Sequence, residues 1–345
     1  MGALFVGVDG GGTSTRCVAA RRSGEIAGRG RAGGANAVSV ADPAANLLAA
    51  LLAALDGLDH SHVAGGVFGL AGAEAMGGLA ERAWKEAGLP GRPLVVPDML
   101  VAFASATTRP DGAVLVAGTG AVGARVHDRR VVRRADGWGW LLGDEGSGVW
   151  LGRRAVTAAL TALDGRAAPT ALVDGVAAAV LGAGPEGGDR RDSAELARAI
   201  VTAVYARVAE AGPAWLATLA PVADAAADDG DPAAREILRE GAALLCRTAR
   251  AVRAGPPPGA NGTGLPAPGP LVLAGSLLTE PTELAGLVRA ELGEQAGADT
   301  ASGGWLLAGD GAAGAAALAL RAALPADDPR ALDGHRRLIA RRLSS

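Results

Sequence analysis

Apolar residues run unbroken from Leu4 to Val8 and stop at a turn, Asp9-Gly10-Gly11-Gly12-Thr13. The next stretch, STRCVAA (14–20), contains Val and Thr and lacks a 3.6-residue period, so a second strand is predicted. A tight turn at Arg22-Ser23-Gly24 and a short third strand near Glu25 to Gly28 follow. Helical periodicity appears at 42–56 and 74–87 on either side of a buried-type strand, VAGGVFGLAG. RPLVVPDMLVAFASA then reads as strand, acidic turn and helix. The same order returns at Gly112. GAVLVAGTGAVGARVHDRRVVRR predicts an apolar strand, a Gly-Thr-Gly turn, an alternating strand, a turn at Asp128-Arg129 and a third strand. PLVLAGSLLTEPTELAGLVRAEL adds a strand, a Gly-Ser turn and a helix, and GWLLAGDGAAGAAALALRAAL adds Gly turns before a last helix. A three-strand meander followed by alternating helices and strands therefore occurs in both halves. Such a repeat predicts two similar α/β domains facing each other across a cleft.

At 345 residues the chain is too long for one ordinary core. The expected boundaries are 1–111 and 112–327, with a mainly helical insertion at 151–252 in the second domain. The segment 253–270 is a Pro/Gly loop, and a basic amphipathic helix at 328–345 is expected to complete the first domain. A solvated helical face explains that helix better than a nucleic-acid contact. The formal charge of -3 gives no electrostatic reason to expect nucleic acid or an anionic membrane as partner. Cys17 and Cys246 lie far apart without metal-type spacing, which speaks against a disulfide framework and against a Cys-ligated zinc or iron–sulfur site. No leader-like segment precedes the first strand, and no apolar run reaches the length of a membrane span; a cytoplasmic protein is expected.

Two Gly-rich hairpin turns facing a cleft suggest a polyphosphate, because backbone without Cβ atoms approaches closely and successive N–H groups form an anion nest. Either turn alone would serve equally as an ordinary hairpin. The only lysine, Lys85, sits mid-helix and away from any glycine turn, so a Walker A loop is excluded. GTGAVG at 118 has the letters of a dinucleotide fingerprint but continues as a strand, not a helix. The most unusual stretch is DGWGWLLGDEGSGVWLGRRAV, 136–156. Asp144 and Glu145 stand there between glycines just ahead of a helix, either as an N-cap, with Ser147 the alternative cap, or as holders of polar ligand groups or a metal-bound water. Asp98 ends one strand and opens a helix, where it can act as a cap, as a base at a ligand-binding strand end, or as both.

Asp9-Gly-Gly-Gly-Thr, Gly118-Thr119-Gly120 and above all Gly137-Trp138-Gly139…Leu142-Gly143-Asp144-Glu145-Gly146-Ser147 resemble the N-acetylglucosamine kinases of the BadF/BadG/BcrA/BcrD ATPase group, in the actin/hexokinase/Hsp70 superfamily. The resemblance implies two RNase H-like domains around a central nucleotide cleft. It implies ATP and Mg²⁺ as cofactors and a small amino sugar as acceptor, in a homodimer. By the same resemblance Gly10, Gly11, Gly12 and Thr13 would meet the phosphates from one side, and Gly118, Thr119 and Gly120 from the other. Asp9 would orient the Mg²⁺ hydration shell, while Gly275, Ser276 and the turn from Gly311 to Gly314 would line the adenosine pocket. Asn36, Gly137, Trp138, Gly139, Asp144 and Glu145 would surround the sugar, with Asp98 as general base. Val38, Trp140 and Ala121 depart from the pattern, where relatives carry an aromatic, a His and a polar residue, so the acceptor is glucosamine, another amino sugar, or N-acetylglucosamine. Two other readings stay open: an ATP-driven activator of 2-hydroxyacyl-CoA dehydratases, which needs cluster cysteines, and a sugar sensor without catalysis.

Overall fold

The computed structural model describes residues 2–12, 14–35, 42–182, 192–254, 269–293, 304–325 and 328–340. Two five-stranded sheets share one plan. The first contains β1 (Leu4–Gly10), β2 (Ser14–Arg21), β3 (Ile26–Gly33), β4 (Val63–Leu70) and β5 (Leu94–Pro97), in the order β3-β2-β1-β4-β5. The second contains β6 (Gly112–Ala117), β7 (Ala121–His127), β8 (Arg130–Asp136), β9 (Leu271–Ala274) and β10 (Trp305–Leu307), in the order β10-β9-β6-β7-β8. In each sheet three strands form an antiparallel meander and the other two add in parallel. This is the two-domain α/β architecture that the repeated pattern predicts.

β3 runs to Gly33, five residues past the Gly28 end expected from sequence. Its apolar content is low because its inner face carries glycines. A Cβ at Gly28 or Gly30 would collide with the carbonyls of Ala54 or Ala50 on α1 (Pro43–Leu55). The strand is made by its ladder to β2 and by that close helix, neither of which leaves an apolar signature.

Four helices follow the predicted periodicity on the first half: α1, α2 (Ala73–Glu86), α3 (Asp98–Ala104) and, after β10, α11 (Gly311–Ala323). The insertion holds α4 (Gly148–Leu163), α5 (Leu172–Leu181), α6 (Ser193–Ala211), α7 (Ala220–Asp228) and α8 (Pro232–Arg253). Short α9 (Ser276–Thr279) and α10 (Glu283–Leu292) follow β9, and α12 (Pro329–Ile339) ends the described chain. Leu238, Leu245 and Val252 of α8 pack with Leu151 and Ala155 of α4 under the second sheet. α12 buries Ala331 and Leu338 and sets His335 Nε2 2.8 Å from the carbonyl oxygen of Ala104. Among the described residues no helix is long and apolar enough to cross a membrane. Cys17 and Cys246 are buried in separate cores, and burial pushes both thiols well above their ordinary pKa.

α3 and α11 occupy the space between the sheets. α11 lies on β1 so closely that a Cβ at Gly7 would overlap the backbone of Ala312 and Ala316. At Gly314 it crosses α3, where a Cβ would meet the carbonyl of Val101. Met99, Val101 and Phe103 of α3 join Phe5 and Val67 of the first sheet to Val114 and Val272 of the second in one core. Because backbone rather than a flexible side chain blocks the space at Gly7, Gly7→Val is expected to lower stability by about 2–3 kcal/mol. Thermal melting checks this against Gly65→Val on β4, where the added Cβ meets nothing within 4 Å and the loss should be small.

Candidate active site

β1 delivers Asp9 to the amino end of α11. A Cβ at Gly311 would overlap the Asp9 carboxylate, so only glycine lets that helix start there. Asp310 caps α11, its Oδ1 accepting the Ala312 N–H at 3.1 Å and its Oδ2 meeting Arg29 Nη1 on β3 at 2.6 Å. Asp98 stands at the first position of α3 and not at the cap, which falls on Pro97; its Oδ1 accepts the Met99 N–H at 2.9 Å. Burial raises the pKa of Asp9 to about 7, the Asp98 and Asp310 charges add to the rise, and Arg16 opposes it. Burial also raises Asp98, against the Met99 N–H and the charge of Arg134. Three carboxylates of this cleft thus come from three separate elements, β1, α3 and the cap of α11. Sequence reasoning missed Asp310, which stands in plain view in GDG but resembles any helix cap.

The second hairpin turn rides on α4. Gly148 N–H donates to the Gly118 carbonyl at 2.8 Å and Val149 N–H to the Thr119 carbonyl at 3.2 Å, while Ser147 Oγ accepts the Trp150 N–H at 3.2 Å. Ser147 is therefore the cap, and the acids before it are released from that role. Gly11 N–H donates to the Ser14 carbonyl and Gly118 N–H to the Gly120 carbonyl, so these two groups close their own hairpins. Beside the turn lies a cavity of about 230 Å³ lined by Gly118, Thr119, Ser276, Leu277, Thr282 and Asp224, among others. Gly275, with φ 85°, starts α9 against the Ala117 carbonyl and brings Ser276 to this cavity. Gly311 and Gly314 do not line it. They belong to the first turn of α11, where their missing Cβ atoms admit Asp9 and α3. Asp224 is a residue that no sequence motif announces: its Oδ1 accepts the Glu283 N–H at 3.2 Å, and burial raises its pKa.

The loop after β8 is closed by Asp136, also unforeseen. Its Oδ1 and Oδ2 accept the N–H groups of Asp144 and Glu145, each at 2.8 Å. Gly139 accepts the N–H of Gly143 at 2.8 Å inside the same loop. Burial and the Asp136 charge raise Asp144, while N–H groups of Ala121 and Gly139 hold its carboxylate. Asp144 so ties the GTG turn to the GWG loop, and it does so with φ at 54°. Glu145 turns to α8, where Arg247 Nη2 meets its Oε2 at 2.7 Å. Trp138 projects into solvent, 75% exposed, above this rigid frame. Thr13, Asn36 and Val38 lie outside the described residues.

The description BadF/BadG/BcrA/BcrD ATPase family matches residues 6–263. The chain belongs to this family. Among its relatives is the N-acetylmuramic acid/N-acetylglucosamine kinase of Clostridium acetobutylicum, 35% identical over 85 residues, 25% of this chain. That match spans only 28% of the relative's length. A Chromobacterium violaceum protein named as an N-acetylglucosamine kinase shares 28% identity and a TM-score of 0.64, over 92% of this chain and 99% of its own. A Porphyromonas gingivalis protein of the same naming, at 19% identity and TM-score 0.65 over 96% and 98%, shows the same fold. In this BadF/BadG/BcrA/BcrD member the family match includes both glycine turns, Asp98 and the whole GWG to GDEGS block.

Replacing Asp136 by Ala leaves two loop N–H groups without their acceptor and puts a less tolerant residue at φ 62°. The expected cost is about 2–4 kcal/mol, with faster amide exchange across 137–145 and Asp136→Asn intermediate. Asp9 gives a pH test. Its raised pKa means the folded state holds a proton that the unfolded state has lost, so the group weakens the fold as pH climbs from about 4 toward 7 and by a constant amount above. Asp9→Asn should therefore melt above wild type at pH 8 and level with it near pH 3.5, in scans without added metal.

Proposed function

We propose that this protein transfers the γ-phosphoryl group of ATP to a hydroxyl of an amino sugar, with C6 of N-acetylglucosamine or glucosamine as acceptor.

 

The observation that carries it is the meeting of Asp9, Asp98 and the amino end of α11, and the GTG turn with its cavity would form the other wall of the cleft. Thr119 and Gly120 on one side, and Gly12 and Thr13 on the other, would supply the phosphate-binding N–H groups, since Gly11 and Gly118 spend theirs within the hairpins. The adenosine end fits the cavity of about 230 Å³ beside Ser276. The local excess of carboxylate over guanidinium fits a divalent cation, with Asp9 as its contact through water. Bound Mg²⁺ would neutralise phosphate charge, as in other phosphoryl transfers.

Asp98 would accept the proton of the attacking hydroxyl, a contribution of about 10²–10⁴-fold in rate. Gly137, Trp138, Gly139 and Asp144, with Asn36, would hold the sugar, and the Asp136 clamp would fix their backbone. Glu145, engaged by Arg247, would support the loop and not the sugar. Val38, Trp140 and Ala121 leave the choice between the N-acetylated and free amine open to assay. A cytoplasmic homodimer without nucleic-acid or membrane partners belongs to the same proposal. The buried, separate cysteines give no support to a cluster-bearing activator.

Coupled ADP release with Mg-ATP, run over glucosamine, N-acetylglucosamine, N-acetylmannosamine and glucose, tests the assignment. One amino sugar should stimulate turnover, and Asp98→Asn should lower kcat at least about 10²-fold with ATP affinity retained. A sugar-independent rate, or an Asp98→Asn variant as fast as wild type, would sink it and favour a sensor.

A further inference from the structure

The cavity of about 230 Å³ beside the GTG turn has a largely apolar wall, with Leu277 and Leu284 on one side. Among the described residues that line it, Asp224 is the only charged one. Ala217, Ala220, Pro221 and Asp224 form a single stripe of that wall, at steps of three, four and seven residues from Ala217. The stripe runs from the 3₁₀ segment Pro213–Leu219 into α7. It starts against the glycine turn, since a Cβ at Gly148 would stand 2.9 Å from the Ala217 Cβ and 3.1 Å from the Gly118 carbonyl oxygen. Helical rise places Asp224 about 10 Å farther along. That is the reach from a phosphate past the ribose to the purine of a nucleotide.

Asp224 also has a structural duty. Its Oδ1 accepts the Glu283 N–H at 3.2 Å, and the Leu284 N–H supports the same carboxylate, so the acid covers the start of α10 from another helix. α10 already has its own cap in Thr282, whose Oγ1 accepts the Ala285 N–H at 3.1 Å and donates to the Leu277 carbonyl at 3.3 Å. Two N–H groups use about half of the roughly four acceptor positions of a carboxylate. Burial outweighs them and raises the pKa of Asp224, and the Asp228 charge adds to the rise. Capping thus accounts for part of this acid and leaves acceptor capacity at the wall of an apolar slot.

We propose that Asp224 selects the base of the phosphoryl donor, accepting a hydrogen bond from the exocyclic amine of adenine in the slot between α7 and the start of α10. The proposal rests on the kinase reading for the presence of a nucleotide, and adds which base is taken and by which residue. A 6-oxo purine held in the same way sets a carbonyl oxygen against the carboxylate, and so loses a donor and gains a repulsion. A purine with no substituent at C6 loses the donor alone.

The test is calorimetric binding, without acceptor, of the magnesium complexes of ATP, ITP, GTP, purine riboside triphosphate and 2′-deoxyATP. Turnover with the amino sugar panel is measured beside it. ATP should bind at least about 30-fold tighter than ITP or GTP, with the purine riboside nucleotide between them. Asp224→Asn keeps an oxygen for the α10 N–H groups and offers an amide N–H to the base, so it should cut the ATP-over-ITP ratio at least about tenfold. Asp228→Asn, one turn on and exposed, should leave that ratio in place. A role confined to capping α10 would instead weaken all five nucleotides alike and lower the melting temperature. An ATP-over-ITP ratio that Asp224→Asn leaves unchanged overturns the assignment, and so does GTP bound as tightly as ATP. Discrimination against 2′-deoxyATP that Asp224→Asn abolishes, with ITP bound as well as ATP, moves the acid to the ribose and overturns it too. If a sugar is phosphorylated and the base ratio ignores Asp224, the kinase reading stands and the base contact falls. If the nucleotides bind in the expected ratios and no sugar is turned over, the kinase reading falls and the base contact stands. If no nucleotide binds, both fall.

Discussion

Two helices cross between two sheets, and the backbone contact at Gly314 fixes how they cross. α3 leaves the first sheet and packs toward the second, while α11 comes from the second half and lies on β1. Each half of the chain therefore contributes a helix to the space between them. The contact admits no side chain, since the carbonyl of Val101 sits where a Cβ of residue 314 would be, and Gly7 imposes the same closeness on the other side of α11. Interiors packed at this density transmit a shift of one helix to the other. Because Asp98 opens α3 and Asp310 caps α11, the crossing also fixes the spacing of the cleft acids. A wider crossing would carry Asp310 and Gly311 away from Asp9.

The second wall of the cleft is positioned by hydrogen bonds and not by close packing. The carbonyls of Gly118 and Thr119 and the hydroxyl of Ser147 take the first N–H groups of α4, so the GTG turn and the helix start as one unit. Asp144 connects that unit to the GWG loop, and Asp136 closes the loop behind it. Left-handed backbone at Asp136 and Asp144 carries a conformational cost, which glycine avoids at the other three left-handed positions, 137, 139 and 146. These bonds hold the loop from within, and Trp138, Leu141 and Leu142 are exposed on it.

The repeated meander, both glycine turns and the strand–Asp98–helix junction were legible in the sequence because each rests on a local pattern: an apolar run, a glycine break or a change of period. β3 was cut short because its inner glycines face the carbonyls of α1, a tertiary reason invisible to a propensity reading. Gly311 and Gly314 were expected at the adenosine pocket, and their missing Cβ atoms admit Asp9 and α3; in the sequence a glycine that admits a helix and one that admits a ligand are the same letter. Asp136, Asp224 and Asp310 were missed for a related reason. A carboxylate that holds backbone N–H groups has no spacing rule, and its role appears only when the distant donors are in place. Glu145 illustrates the reverse: its neighbours in the motif suggest a ligand, but its partner Arg247 stands 102 residues away.

A cleft built to meet polyphosphate would ordinarily want fixed positive charge, yet the only lysine lies on α2, in AERAWKEAG. The cations that reach the cleft acids are arginines of three different strands, Arg16 on β2, Arg29 on β3 and Arg134 on β8. Arg29 is spent on Asp310, and Arg16 only partly offsets the burial of Asp9. An acid with a pKa of about 7 relieves the remaining repulsion by keeping its proton part of the time near neutral pH. Under the proposed function, a divalent cation arriving with a polyphosphate would displace that proton, and the ionised carboxylate would then serve the filled cleft as the protonated one serves the empty cleft. In the proposed kinase, the charge that other nucleotide-binding loops fix covalently in a lysine would be brought by the ligand, and Asp9 would be the carboxylate that receives it.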